Sequence, residues 1–139
     1  MNKIKSAIIT PILAAGSTAS PYSYLINITQ RLCFPTCADT VPVFLPQYSL
    51  VSTTPVGTNL YSVTINVQGT INYVPCNGGC GCMKAQPLNQ NFTILIQSAT
   101  VPTAITPTQG TTQNAVVATA CQPCSRTFVS ETPLTITVA

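Results

Sequence analysis

Whatever covalent chemistry this chain has lies in seven cysteines, which fall into three groups: Cys33 and Cys37, then Cys76, Cys80 and Cys82, then Cys121 and Cys124. Thiolates can complete a tetrahedral metal shell by themselves, and Cys121-x-x-Cys124 has the spacing of half a zinc site. Such sites normally pair two turns of that kind, and only one group here has the two-residue spacing. No metal is therefore expected, and all seven are read as disulfide candidates of an oxidising compartment. A redox role for Cys121 and Cys124 is disfavoured, because that motif opens a helix between strands and no such helix is predicted. Seven is an odd number, so at least one thiol is left over and is available to link two copies.

Acid–base chemistry is almost absent. The chain has no His and no Trp, and its two carboxylates, Asp39 and Glu131, stand far apart in sequence. General catalysis draws on His or on tuned carboxylates, and a nucleophilic Ser or Cys needs a base beside it. No glycine-rich loop leads into a helix to cradle a phosphate. The expectation is a protein that is not an enzyme, with no catalytic residues, no cofactor and no small-molecule substrate. The cations Lys3, Lys5, Arg31, Lys84 and Arg126 are scattered, whereas nucleic-acid binding needs them clustered against phosphates. Nucleic acid is excluded as a partner on that ground.

The elements that position the cysteines are strands. Tyr61, Val63, Ile65, Val67, Gly69, Ile71 and Tyr73 alternate without a break with polar residues, the period of a strand with one face buried. Gly69 is expected to mark a bulge, a bend or a corner in so long a strand. Tyr22–Leu32 reads as a first strand, closed by Cys33–Cys37. Val41, Val43 and Leu45 make a short second one, restricted by Pro42 and Pro46 to an edge or a strand end, and Tyr48–Thr53 a third before a turn over Pro55–Asn59. Phe92, Ile94 and Ile96 define a fifth, whose second apolar residue set suits a central position. Ala99–Asn114, rich in Thr and Pro, is expected to be a surface loop or hairpin. Ala115–Ala120, Thr127–Ser130 and Leu134–Val138 complete about eight strands. The predicted fold is all-β, an antiparallel, jelly-roll-like β-sandwich over residues 22–139.

Residues 1–21 are assigned to an extended N-terminal arm. Lys3 and Lys5, an apolar run and then small residues have the layout of a secretory signal, but the run is too short to span a bilayer and is interrupted by Pro11. The preferred reading is a docking or donor strand centred on Ile8, Ile9, Ile12 and Leu13. Charged residues make up only 5% of the chain and hydrophobic ones 45%, against about a quarter charged in ordinary domains. A surface built from Thr, Ser, Asn, Gln and Pro can be buried against copies of itself at little desolvation cost. Copies of the same chain are thus the expected partner, at an extracellular or cell- or spore-surface location. The triplets at Asn27 and Asn91 have the form of glycosylation sequons, which a Thr-rich chain also produces by chance.

A small, cysteine-bearing sandwich with an N-terminal arm resembles the appendage-fibre subunits of bacterial endospores and, more loosely, the donor-strand pilins. The resemblance implies fibres built by strand augmentation, with arm cysteines linked to preceding subunits. Met1–Pro21 carries no cysteine, so here the covalent link would fall to Cys33, Cys37 or the later groups. Strand parity leads to the expectation that Cys76, Cys80, Cys82, Cys121 and Cys124 share one end of the sandwich. Cys33 and Cys37 would then lie at the other, pairing only between stacked copies. The same composition leaves two alternatives open: a capsid or spore-coat shell protein, and a secreted adhesin or lectin-like module.

Overall fold

The computed structural model describes residues 7–16, 21–37, 41–74, 84–118 and 124–139. Among them the chain forms nine strands: β1 (Ile8–Leu13), β2 (Tyr22–Cys37), β3 (Val43–Phe44), β4 (Gln47–Gly57), β5 (Leu60–Tyr73), β6 (Lys84–Gln97), β7 (Ile105–Gln109), β8 (Gln113–Ala118) and β9 (Cys124–Val138). They build two antiparallel sheets. In the first, β1 pairs with β2 and β2 with β9, while β7 and β8 lie one after the other along the far side of β9. In the second, β3 and β4 share one side of β5, and β6 takes the other.

The core between the sheets follows the predicted alternation. Val63, Ile65, Val67 and Ile71 of β5, and Leu88, Phe92, Ile94 and Ile96 of β6, meet Ile26 and Ile28 of β2 and Phe128, Leu134 and Ile136 of β9. Phe44 and Phe128 pack edge to face across the gap, ring centroids 5.6 Å apart. Such an arrangement lets the positive ring edge meet the negative face. The fold is an antiparallel β-sandwich.

Several local expectations are corrected. Val41, Val43 and Leu45 are all exposed, and the alternate residues Pro42, Phe44 and Pro46 are the buried ones, Phe44 entering the core; apolar residues occupy both phases of this stretch, so alternation could not identify the inward face. The turn expected over Pro55–Asn59 is tighter, because β4 runs on to Gly57 and only Thr58 and Asn59 reverse the chain, Asn59 with a left-handed φ of 57°. Asn tolerates that conformation better than most residues. β6 is an edge strand and not a central one, and Leu95 on its outer face is exposed.

Within Ala99–Asn114, expected to be a surface loop or hairpin, lies β7, which pairs with β9 and buries Ile105. Pro107 concealed it, since proline is tolerated in a strand at a sheet edge. The two last predicted strands are one, β9, paired with β2 without interruption from Arg31↔Thr127 to Tyr22↔Ile136. Its inward positions include Ser130 and Thr132, both buried, so hydrophobicity lapses where the strand does not.

Gly69 sits in a continuous stretch of β5–β6 pairing, opposite Leu88. The irregularity lies in the neighbouring lane, between Phe44↔Ile71 and Gln47↔Gln68, where Leu45 and Pro46 leave the ladder. A Cβ on Gly69 would stand 2.8 Å from the Phe44 ring and 3.2 Å from the Leu45 carbonyl oxygen. Glycine is needed there because β3 and β4 are joined across its inward face, leaving no room for a side chain.

Candidate functional site: edges, arm and cysteine end

A sandwich has open edges, and this one treats them unequally. On the β6 edge the Tyr24 hydroxyl donates to the Leu95 carbonyl at 3.0 Å, and the Tyr22 hydroxyl donates to the Gln97 carbonyl. Both tyrosines come from β2 in the opposite sheet, so they close the side of the sandwich by covering carbonyls of an edge strand. Burial, and then the neighbouring Tyr22, push the Tyr24 phenol above its ordinary pKa. Further along, Gln90 Nε2 donates to the Ala7 carbonyl at 2.7 Å and ties β6 to the start of the arm.

On the opposite side Gln109, at the end of β7, spans the gap between sheets. Its Nε2 donates to the Pro46 carbonyl at 2.7 Å, and its Oε1 accepts from the Tyr48 amide at 3.1 Å. One primary amide thereby occupies the donor and acceptor of a strand edge. From Ser49 to Gly57 the cover ends and every residue of β4 is exposed, including Leu50, Val51 and Val56. Register shifts between Leu50 and Ser52 and between Pro55 and Gly57 twist this edge, a common way to discourage indiscriminate pairing.

The arm residues lie on β1, antiparallel to β2 from Ile8↔Thr29 to Leu13↔Tyr24. Ala7 is buried and Ile9 packs against the core, but Ile8, Ile12 and Leu13 are 67%, 44% and 46% exposed. Of the four large apolar residues singled out from the sequence, three therefore face solvent. The connection to β2 passes through Gly16 with φ 84°.

The expectation that Cys33 and Cys37 lie opposite the other cysteines is overturned at Cys124. Cys37 closes β2, Cys124 opens β9, and the two are direct partners in the antiparallel register. The parity count failed because it took β3 and β4 as alternating strands, whereas both pair antiparallel with β5 and so run in the same direction. Cys76, Cys80, Cys82 and Cys121 lie outside the described residues, but the strands that lead to them are described. Tyr73 pairs with Lys84, flanking the second group, and Ala118 pairs with Ser125, flanking Cys121. Gln86, two residues into β6, donates through Nε2 to the Arg31 carbonyl of β2 at 3.0 Å. The chain thus enters and leaves all three cysteine groups at the same end of the sandwich.

On the outer face of the second sheet Asn66 Nδ2 donates to Asn89 Oδ1 at 2.7 Å and to Asn91 Oδ1 at 2.9 Å. Asn91 is exposed, whereas Asn27 is half-buried in mid-β2. A shallow cleft of about 370 Å³ at the end away from the cysteines is lined by Thr58, Asn59, Gln97, Ser98 and Ala99, with no charged or aromatic side chain to hold a ligand. Among the described residues no group of three potential metal-ligating side chains occurs, and no helix is long and apolar enough to cross a membrane. No family model, curated protein or solved structure matches the chain. The class of protein defined here is therefore that of its fold, an all-β antiparallel sandwich with one closed side, one partly open strand and a lightly held N-terminal strand.

Proposed function

We propose that this chain is a non-enzymatic structural subunit that assembles with copies of itself into an extracellular or spore-surface fibre, by donating β1 to the β2 edge of a neighbour. The observation that carries the reading is the attachment of β1. It is held by backbone pairing to one strand, by Ala7 and by the inward side of Ile9, while Ile8, Ile12 and Leu13 remain in solvent. Exchanging such a strand for the identical strand of another copy replaces every contact it makes. The net cost is confined to ordering and association, and a head-to-tail exchange that does not close produces a filament. The exposed stretch Ser49–Gly57 and the 5% charge content support burial of further surface between copies. Disulfides among the seven cysteines would stiffen the assembly.

Negative-stain imaging and sedimentation of purified protein test this. The full chain is expected to form filaments, and the chain lacking Met1–Ser20 to remain folded and monomeric. A peptide of residues 7–16 should then bind the truncated chain and raise its melting temperature. Closed shells in the images would favour the capsid or coat alternative. A full-length chain that stays monomeric at all concentrations would leave the adhesin alternative and remove the fibre.

A further inference from the structure

Cys37 and Cys124 meet because of an irregularity. From Tyr22 to Arg31 the β2–β9 register is regular, ending at Arg31↔Thr127. Between Arg31 and Thr36 it shifts, and the pairing resumes as Thr36↔Ser125 and Cys37↔Cys124. Had the earlier register continued, position 37 would have fallen opposite position 121, which is also a cysteine. The bulge therefore selects between two possible partners.

Directly opposed residues of an antiparallel pair have Cα atoms about 4.5 or about 5.5 Å apart, depending on whether they exchange hydrogen bonds. A disulfide spans Cα separations of about 4.4–6.8 Å. Both kinds of position fall inside that window, so the register alone is sufficient to bring the two residues within bonding range. We propose that Cys37 and Cys124 of the same chain form a cross-strand disulfide that fastens the end of β2 to the beginning of β9. The bond closes the loop of the chain that contains the whole second sheet together with β7 and β8, and so ties that loop at the end where the remaining cysteine groups enter. It stands independently of assembly through β1.

The chemistry balances with a low-molecular-weight disulfide as oxidant. One cysteine thiolate attacks it and forms a mixed disulfide, releasing one small thiol; the second thiolate then displaces the other. Two protons and two electrons leave the protein, and one S–S bond is broken for the one formed.

The test uses the full chain, incubated with glutathione disulfide, alkylated in denaturant and cleaved after Arg31 and before Asp39. That releases Leu32–Ala38, which carries Cys33 and Cys37. Mass spectrometry is expected to find this fragment joined through Cys37 to the fragment carrying Cys124, with fragmentation assigning the bond to Cys124 and not Cys121. Mixing isotope-labelled and unlabelled protein before oxidation should give no mixed species for this link. Cys124→Ser should leave Cys37 alkylated, and Cys121→Ser should leave the link intact. Cys37 found alkylated in the oxidised full chain, joined to any other cysteine, or joined to Cys124 in mixed-isotope form would overturn the proposal. These readouts come from the wild-type chain, so a variant that failed to fold would not obscure them.

Discussion

β4 and β6 flank the same strand, β5, by the same antiparallel pairing, yet one is part of the core and the other hardly touches it. Gln86, Leu88, Phe92, Ile94 and Ile96 of β6 are buried, and tyrosine hydroxyls cover its carbonyls at Leu95 and Gln97. β4 has Gln109 at Tyr48 and is exposed from Ser49 onwards. Backbone pairing makes a strand; burial in the sandwich depends on whether the other sheet lies over it. β2 and β9 supply the residues packed against β5 and β6, whereas β4 stays exposed from Ser49 onwards although β7 approaches it from the other sheet.

The largest expected effect compares cross-strand partners. Ile65 of β5 is fully buried, and its partner Leu50 of β4 is 39% exposed. Ile65→Ala should cost about 2–5 kcal/mol through lost transfer energy and the cavity left behind, and Leu50→Ala less than about 1 kcal/mol. Equal midpoints for the two variants in urea denaturation would show that β4 is covered in solution, most simply by another copy.

Next comes Gly69→Ala, at the point where β3 and β4 are joined over β5. The added methyl meets the Phe44 ring and the Leu45 carbonyl, and overpacking of this kind costs about 1–3 kcal/mol. A melting temperature unchanged by the substitution would mean that the Leu45–Pro46 junction moves aside freely.

Tyr24→Phe probes the closed edge and should cost about 0.5–1.5 kcal/mol, the usual worth of one hydrogen bond. It also changes the alkaline response. Burial raises the Tyr24 phenol above 10.0 in the folded chain, so above that pH the unfolded chain loses its proton first and stability falls as pH rises. Burial raises Tyr48 as well, with the Thr132 hydroxyl pulling the other way. Stability measured from pH 8 to 11 should fall less steeply in Tyr24→Phe than in the wild type. Identical slopes would place the Tyr24 hydroxyl in water.

The smallest effect is expected at Ser130→Ala. Ser130 is buried in β9, and its Oγ has no partner among the described residues. Removing an unpaired hydroxyl relieves a desolvation cost, so the change should be neutral or slightly stabilising. A loss above about 1 kcal/mol would reveal a bound water or another partner at that oxygen.

The alternation of Tyr61–Tyr73 and of Phe92–Ile96 was enough to place their inward faces, because side-chain direction in a strand is a local property with period two. The succession of short alternating runs and turn signals was likewise enough for the all-β class. Partnership is not local. Nothing in Thr127–Val138 announces one strand, since Ser130 and Thr132 occupy core positions whose polarity the packing tolerates. β7 is held by pairing with residues at the far end of the chain, and no alternation within Ala99–Asn114 points to it. The arm was legible as a strand from Ile8–Leu13, but only the tertiary structure decided that β2 receives it. Cysteine positions depend on strand count, edge order and one bulge together. A short-range pattern therefore could not determine that Cys37 stands opposite Cys124, and the pairing of distant strands did.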